Sequence, residues 1–247
     1  MDMPANLLRS LLAQTENLRE VEDGIWSVLA PRAAAPAYDG RAKLYDWLIG
    51  SRIYNRVAWG SSPEAYEKFA AAAAQSGAGP FLDAGCGTLV STARVHACSD
   101  RPTVLLDLSI DMLRAGRDRV RAETGKVPDH LIFLQADLQD LPFKQGVFGS
   151  VLCPGMLHIF DQIERIAVGL SYVARPGSRI FLSSLVSDRA ISRRYLETLH
   201  RAGEVALPRR YSDLLSSLRK SVPGLLVEEQ SHLEGGMAFI VVKQAPA

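Results

Sequence analysis

Two glycines directly after an apolar segment could bring the backbone close to a ligand. The segment 81–84 has the composition of a buried strand, and Gly85 and Gly87 follow it with Cys86 between them. Glycine has no Cβ atom, so the chain can turn sharply there and approach a bound molecule. We expect a helix after the turn, whose unpaired amide groups would face the ligand. A glycine pair after a strand is by itself a weak indication of a nucleotide-like cofactor.

A carboxylate at the end of the next apolar segment strengthens that indication. Asp107 follows the segment 103–106 and comes 20 residues after Gly87. From such a position a carboxylate can accept hydrogen bonds from both hydroxyls of a ribose. Ser109 then offers a cap for a helix that carries Met112 in its first turn. The spacing therefore predicts a ribose contact at Asp107.

A third apolar segment, 131–134, is followed by Asp137 and Leu138. The Asp137 carboxylate can accept a hydrogen bond from an exocyclic amine such as that of adenine, and the Leu138 amide can serve a ring nitrogen. Each acid alone is more often a turn residue or a helix cap. With Asp83, however, three acids belong to three successive strands, and open parallel sheets bind ligands at the carboxyl ends of their strands. We expect the three acids to converge on one ligand.

Alternating strands and helices must position these residues. Strand-like segments alternate with segments of helical period, which predicts a parallel sheet with helices on both faces. The clearest helix is 161–173, with Asp161 as its candidate cap. Two strand-like segments near the end, 225–230 and 237–242, should form an antiparallel pair. The other strand-like segments are 81–84, 103–106, 131–134, 147–153 and 178–185.

The N-terminal part is predicted to be helical. Apolar residues recur at helical spacing over 1–30, the second half of this pattern being Leu18, Val21, Ile25 and Leu29. Ser62 and Pro63 offer a cap and an early proline for a helix over 65–75. We expect three parts, which are a helical extension (1–76), a core (77–247) and a helical insertion within the core (about 190–205).

These helical additions have more than one interpretation. The insertion could shape a substrate pocket, and it fits a plain surface helix equally well. The N-terminal helices could cover the pocket or join two copies as a homodimer.

The composition is that of an ordinary globular protein and excludes several classes. Hydrophobic residues make up 47% and charged residues 22%, which argues against disorder. The net charge of +1 lacks the electrostatic footprint of a nucleic-acid-binding protein. No apolar segment reaches the roughly 20 residues that span a bilayer, and the N-terminal residues lack the pattern of a secretory signal. The isolated Cys86, Cys98 and Cys153 predict free thiols, a cytoplasmic location and no structural metal.

Together these motifs resemble the seven-strand class I S-adenosylmethionine (SAM)-dependent methyltransferases, and in particular the ubiquinone and menaquinone biosynthesis type. The resemblance covers about residues 38–243. It implies a doubly wound, mostly parallel α/β sheet of seven strands with an antiparallel C-terminal strand. The motifs that carry it are Leu82-Asp83-Ala84-Gly85-Cys86-Gly87-Thr88, Asp107-Leu108-Ser109 with Met112-Leu113, Ala136-Asp137 with Asp140-Leu141-Pro142-Phe143, the segment from Val151 to His158, and Arg175-Pro176-Gly177.

The resemblance also implies how SAM would be held. Gly85 and Gly87 would pass beneath its methionine part, and Asp107 would hold its ribose. The adenine would be flanked by hydrophobic side chains and read at its edge after the third strand, and the segment 153–156 would lie near the sulfonium. The expected cofactor contacts are Asp83, Gly85, Cys86, Gly87, Asp107, Leu108, Met112, Asp137, Leu138, Cys153 and Pro154.

Two residues depart from the family pattern. Leu89 and Gly149 stand where family members commonly have glycine and aspartate, respectively. Leu89 could tighten or reshape the cofactor loop. The Gly-x-Gly-x-x-Gly pattern of dinucleotide enzymes also fails, because Val90 occupies its last position.

The acceptor is predicted to be a small molecule. Methyl transfer needs an in-line approach at about 3 to 3.5 Å, so alignment supplies much of the rate and a base is optional. His158, after the fourth strand, is the candidate base, although a hydrogen-bonded turn histidine fits the same position. Candidate residues of the acceptor pocket, which could equally be core residues, are Tyr38, Tyr54, Trp59 and Met156.

Two other functions fit parts of the pattern. A non-catalytic protein could use the same fold as a binding or regulatory module, and Leu89 and the lack of an obvious base favour that alternative. A nicotinamide-dependent oxidoreductase is disfavoured by the missing third glycine and by the antiparallel tail.

Overall fold

The computed structural model describes residues 3–30 and 62–244. It begins with helix α1 (Met3–Leu11), whose Leu8 and Leu11 are buried in the main core. A hairpin of two strands follows, β1 (Arg19–Glu22) and β2 (Ile25–Ser27). The prediction of helical structure over residues 18–29 is therefore wrong.

The hairpin has two physical causes. Gly24 turns the chain with φ +73°, a conformation that glycine adopts at little cost. Ile25 and Ser27 are buried while Trp26 between them is less so, which is the alternation of a strand. The strand pairs with β5 (Leu131–Gln135) in parallel, with Ile25 opposite Phe133. The helical spacing of the apolar residues was a weaker constraint than this long-range pairing.

The remaining elements alternate as the sequence predicts. Ser62 caps helix α2 by accepting from the amide of Ala65, and Pro63 is its first residue. The predicted cap Asp161 is wrong, because α5 begins at Ile163 and Asp161 instead offers its backbone carbonyl to Arg209. The elements are α2 (Pro63–Gln75), β3 (Phe81–Ala84), α3 (Ala93–Ala97), β4 (Thr103–Asp107), α4 (Ile110–Thr124), β5, β6 (Phe148–Cys153), α5 (Ile163–Val173), β7 (Ala174–Leu185), α6 (Ala190–Arg201), α7 (Tyr211–Ser221), β8 (Leu225–Val227), β9 (His232–Glu234) and β10 (Met237–Gln244).

The described strands form one sheet in the order β1-β2-β5-β4-β3-β6-β7-β10-β8, with β9 paired to β10. Neighbours from β2 to β7 are parallel, and β10 lies antiparallel between β7 and β8. The predicted α/β sheet with an antiparallel C-terminal strand is thus confirmed. The number of strands is wrong, because the sheet of the described residues has ten strands rather than seven, the additional ones being β1, β2 and β9. The chain order reverses at β3, which has β4 on one side and β6 on the other, and open sheets bind ligands at such a switch point.

Close backbone packing explains why residue 149 is glycine. A Cβ atom at Gly149 would overlap the backbone carbonyl oxygen of Ala78, in the segment that leads into β3. The amide of Gly149 donates to the carbonyl of Pro80 at 2.8 Å. The aspartate that the family commonly has here would not fit, so this departure reflects the packing of the segment 77–80.

Candidate functional site

The glycine turn lies at the switch point and is fixed to the neighbouring strand. The amides of Gly85 and Cys86 both donate to the carbonyl of Leu106, at 2.8 and 2.9 Å. Gly85 and Gly87 have φ angles of +77° and +55°, which other residues rarely adopt. The turn therefore lies at the carboxyl end of β3, as the sequence predicts, with Gly85 buried and Gly87 partly exposed.

The helix after the turn differs from the expectation. It begins only at Ala93 and has five residues, so it does not present its first amides to the turn. The intervening residues form further turns, in which the amides of Thr92 and Ala93 donate to the carbonyl of Leu89. The backbone of the turn itself, and not a helix N-terminus, is the feature that can approach a ligand here.

Asp107 is held at the end of β4 by two backbone amides. Gly87 donates to Oδ2 and Ser109 to Oδ1, each at 2.9 Å. Burial raises the pKa of Asp107 to about 6, although these amide hydrogen bonds oppose the rise. The carboxylate is fixed directly beside the glycine turn. Each oxygen keeps a second lone pair for a further donor.

Leu89 does not fill the space over the turn. Its backbone has φ +55°, the left-handed conformation that favours glycine. Its side chain is 1% exposed and packs in a core cluster beneath the loop, next to Gly116 of α4. The departure from the family glycine therefore costs backbone strain, and the Leu89 side chain lies on the core side of the loop.

Asp83 lies deeper than the other two acids. It is fully buried, and its Oδ2 lies 2.7 Å from Nε2 of His96, which is also fully buried. The sequence predicts that three acids converge on one ligand, whereas in the structure the Asp83 carboxylate contacts His96 of α3. Sequence reasoning missed His96, since the fold alone brings it to Asp83.

The adenine-side residues lie at neighbouring strand ends. Asp137 follows β5, and its Oδ1 accepts from the amide of Gln139 at 2.8 Å, which is the ordinary hydrogen bond of a turn. The backbone of Ala136 donates to the carbonyl of Asp107, which ties the two strand ends together. Leu138 and Met112 are buried, whereas Leu108 is 39% exposed beside Asp107. Adenine contacts by these residues stay predictions.

The turn after β6 meets the glycine turn. A Cβ atom at Gly85 would lie 2.7 Å from Cγ of Met156, so the Met156 side chain packs directly against bare backbone. The amide of Gly155 donates to Oγ of Ser183 at 2.7 Å, which anchors the turn to β7. Cys153 is fully buried, and burial raises the pKa of its thiol. Pro154 and Met156 are more exposed than Cys153 and so form the accessible part of this segment.

The contacts of His158 favour the interpretation as a hydrogen-bonded turn histidine over that as a base. Its Nδ1 accepts from the amide of Leu185 at 3.3 Å, so the proton of the neutral ring sits on Nε2. Burial, with a smaller contribution from Arg209, lowers the pKa of His158 to about 4. A ring with this pKa and this tautomer is a weak proton acceptor at neutral pH.

Three of the four predicted pocket residues, Tyr38, Tyr54 and Trp59, lie outside the described residues. Among the residues that the structure describes, no group of three or more histidine, cysteine or acidic side chains could hold a metal ion.

Comparison with known proteins assigns the site to a family. A family model described as a methyltransferase domain matches residues 81–177, from β3 into β7. Residues 81–177 are a methyltransferase domain. The domain contains the glycine turn, all three acids, Met156 and His158, whereas α6 lies beyond the match. The strands β8 and β10 also lie beyond it and complete the sheet.

Similar proteins include methyltransferases and one enzyme described by another reaction. The O-methyltransferase cnsE of Penicillium expansum is 32% identical over 109 residues, which are 44% of this chain and 38% of that protein. A geranyl diphosphate C-methyltransferase of Streptomyces coelicolor, solved with S-adenosylhomocysteine, has a TM-score of 0.58 at 13% identity and 72% and 74% coverage. The [4+2]-cyclase SpnF has a TM-score of 0.62 at 15% identity and 87% and 98% coverage.

These likenesses bear on the fold and on the methyltransferase domain. The chain spans less than half the length of the Penicillium relative. The structural neighbours show that the chain has the class I SAM-dependent methyltransferase fold over most of its length. No described helix is long and apolar enough to cross a membrane.

Proposed function

We propose that this chain binds SAM at the glycine turn and transfers its methyl group to a small-molecule acceptor. The observation that carries the proposal is the position of Asp107. Its carboxylate lies at the end of β4 and is oriented by the amides of Gly87 and Ser109. A fixed carboxylate beside a bare turn is suited to the two hydroxyls of a ribose.

The described residues fit SAM in three respects. The outer face of the turn is free of the Leu89 side chain, which points into the core. Leu108, 39% exposed next to Asp107, offers an apolar surface for adenine. Asp83 Oδ1 is buried and has no hydrogen-bond partner among the described residues, so it could accept from the ammonium of the methionine part. The bound cofactor would supply an electrophilic methyl group on a sulfonium.

The chain would then contribute binding, alignment and exclusion of water. The Met156 side chain packs against Gly85, so it would have to move aside for the methionine part of SAM to lie over the glycine turn. The tautomer of His158 leaves an N–H at Nε2, which can donate a hydrogen bond but cannot take a proton. Acceptors that need no base, or that lose their proton readily, suit this site.

The proposed acceptor is a small molecule and not a nucleic acid. The net charge of +1 lacks the excess of positive charge expected of a nucleic-acid-binding protein, and the Penicillium relative is named as an O-methyltransferase. The chain is also proposed to be cytoplasmic, because its three cysteines are free in the structure. A homodimer through the N-terminal region is retained as a proposal.

A second candidate function is binding or chemistry without methyl transfer. It is favoured by the likeness to the [4+2]-cyclase SpnF, which extends over 87% of this chain. SAM would then be a structural ligand, or would not bind at all. The two proposals differ in whether S-adenosylhomocysteine is released, and this product can be measured.

Calorimetric titration with SAM, and with NAD as the control ligand, tests the first step. We expect SAM to bind and NAD not to bind. Incubation with labelled SAM and a panel of phenols, carboxylic acids and thiols tests the second step through release of S-adenosylhomocysteine. Binding of SAM without turnover on any acceptor class would favour the second candidate, and absence of SAM binding would refute the proposal.

A further inference from the structure

A buried pair of hydrogen-bonded side chains joins the two ends of the glycine loop. Asp83 is the third residue of β3, before the turn, and His96 lies in α3, after it. Their side chains meet at 2.7 Å between Oδ2 and Nε2, and both are fully buried. The pair therefore fixes the loop from beneath, and it also fixes the orientation of the Asp83 carboxylate.

The pair is not fully satisfied. Asp83 Oδ1 and His96 Nδ1 are both buried, and neither has a hydrogen-bond partner among the described residues. Buried polar atoms without partners are uncommon in folded proteins, because each loses its hydration without compensation. A carboxylate retained in this state has an oxygen ready to accept from a donor that arrives with a ligand.

The surroundings of Asp83 place that oxygen near the site. Burial raises the pKa of the Cys86 thiol on the turn, and the Asp107 and Asp83 carboxylates add to the rise. The Asp83 charge likewise adds to the effect of burial on Cys153 at the end of β6. Asp83 pairs with Leu105 of β4 and Leu152 of β6, so it lies among the ends of β3, β4 and β6 and two residues before Gly85.

The immediate contacts of His96 identify it as the group that orients Asp83. Its ring packs near the Phe81 ring, with 5.7 Å between centroids. Its backbone carbonyl lies 3.1 Å from Nε2 of His130, so the residue is held from two further sides. Of the two ring nitrogens of His96, Nε2 is the one that contacts a charged side chain among the described residues, and that side chain is Asp83.

We propose that His96 is a positioning residue, which holds Asp83 so that Oδ1 accepts from the ammonium group of the methionine part of SAM. The inference rests on the proposed function. His96 itself does not touch the cofactor. Loss of its Nε2 donor would let the carboxylate rotate and would weaken recognition of the amino-acid part of the ligand alone.

Two ligands that differ in that part provide the test. S-adenosylhomocysteine carries the ammonium group, and 5′-methylthioadenosine lacks the whole amino-acid moiety. In the His96→Phe variant we expect the affinity for S-adenosylhomocysteine to fall about tenfold, as for loss of one charge-assisted hydrogen bond. The affinity for methylthioadenosine should change less than about twofold, because this ligand has no ammonium group for Asp83 to bind.

Two conservative variants keep the test decisive if His96→Phe fails to fold. In His96→Gln the amide nitrogen can reach the position of Nε2, whereas the shorter side chain in His96→Asn cannot. We expect His96→Gln to restore the wild-type ratio of the two affinities and His96→Asn to resemble His96→Phe. His130→Gln, which alters the surroundings of His96 without touching Asp83, is the control and should keep the wild-type ratio.

The outcomes separate this inference from the proposed function. If every His96 variant weakens both ligands equally, His96 has only a structural role and the inference is overturned. Equal ratios in His96→Gln and His96→Asn would overturn it as well. If the wild-type protein binds neither ligand, the proposed function fails and the inference fails with it.

Discussion

Leu89 lies in contact with Gly116, where an added Cβ atom would approach Cγ of Leu89 to 3.2 Å. Leu89 stands where the family commonly has glycine. Its side chain fills the space above Gly116 of α4. The backbone of Leu89 has φ +55°, which costs an L-residue other than glycine about 1–2 kcal/mol. Burial of its side chain offsets that strain.

Substitutions at Leu89 should separate these two effects. Leu89→Ala removes the buried side chain and keeps a Cβ atom, so the free energy of unfolding should fall by about 3 kcal/mol. Leu89→Gly removes the same side chain and relieves the strain, so it should be less destabilising by about 1 kcal/mol. Denaturant unfolding measures both. If Leu89→Gly is the less stable variant, the backbone of Leu89 is not strained.

Gly149 should tolerate no side chain. Gly149→Ala would place a Cβ atom on the carbonyl oxygen of Ala78, so the segment before β3 must move. We expect a loss of about 2–3 kcal/mol in the free energy of unfolding. Gly169→Ala is the matched control, since its Cβ would lie 3.7 Å from Leu141 in an ordinary contact. In a helix that change should be neutral or stabilising by up to about 1 kcal/mol. Equal stability of the two variants would contradict the packing at Gly149.

Much of the fold could be predicted because local and periodic signals agree. The glycine turn and the acids at strand ends follow from strands that end at one edge of a parallel sheet. The hairpin could not be predicted, because residues 18–29 fit helical spacing and only pairing of Ile25 with Phe133 makes them strands. His96 was missed for the same reason, since its partner Asp83 is on another element.

His158 should be dispensable for proton transfer. Its Nδ1 is occupied by the Leu185 amide, and its pKa is lowered to about 4 by burial. In His158→Asn the side-chain oxygen lies near the position of Nδ1 and can keep the hydrogen bond to that amide, so kcat should stay within about threefold, whereas a true general base contributes roughly 10²–10⁴. The pH–rate profiles of both proteins should coincide. A loss of activity greater than a hundredfold, with the protein folded, would restore the histidine as a base.

Asp107 should dominate the affinity for SAM. Asp107→Ala removes charge-assisted hydrogen bonds worth roughly 1.5–3 kcal/mol, which corresponds to about ten- to a hundredfold weaker binding. Asp140→Ala removes the same charge from the exposed turn after β5 and should leave the affinity unchanged. Calorimetric titration of both folded variants measures the difference. Equal affinities in wild type and Asp107→Ala would remove the basis of the ribose assignment.

The pH dependence of SAM binding should report the same carboxylate. Burial raises the pKa of Asp107 to about 6, so the group is mostly ionised at pH 7 and mostly protonated at pH 5. Ribose hydroxyls donate to the ionised form, so binding lowers this pKa, and affinity must fall as the pH drops through 6. We expect binding about tenfold weaker at pH 5 than at pH 7.

The control for this titration is Asp107→Asn, which has the same shape and does not titrate. Its affinity should be lower at pH 7 and nearly constant down to pH 5. His158 does not interfere, because its lowered pKa of about 4 keeps it neutral over this range. If Asp107→Asn retains the wild-type slope, the titrating group lies elsewhere, and the raised pKa of Asp107 has no part in cofactor binding.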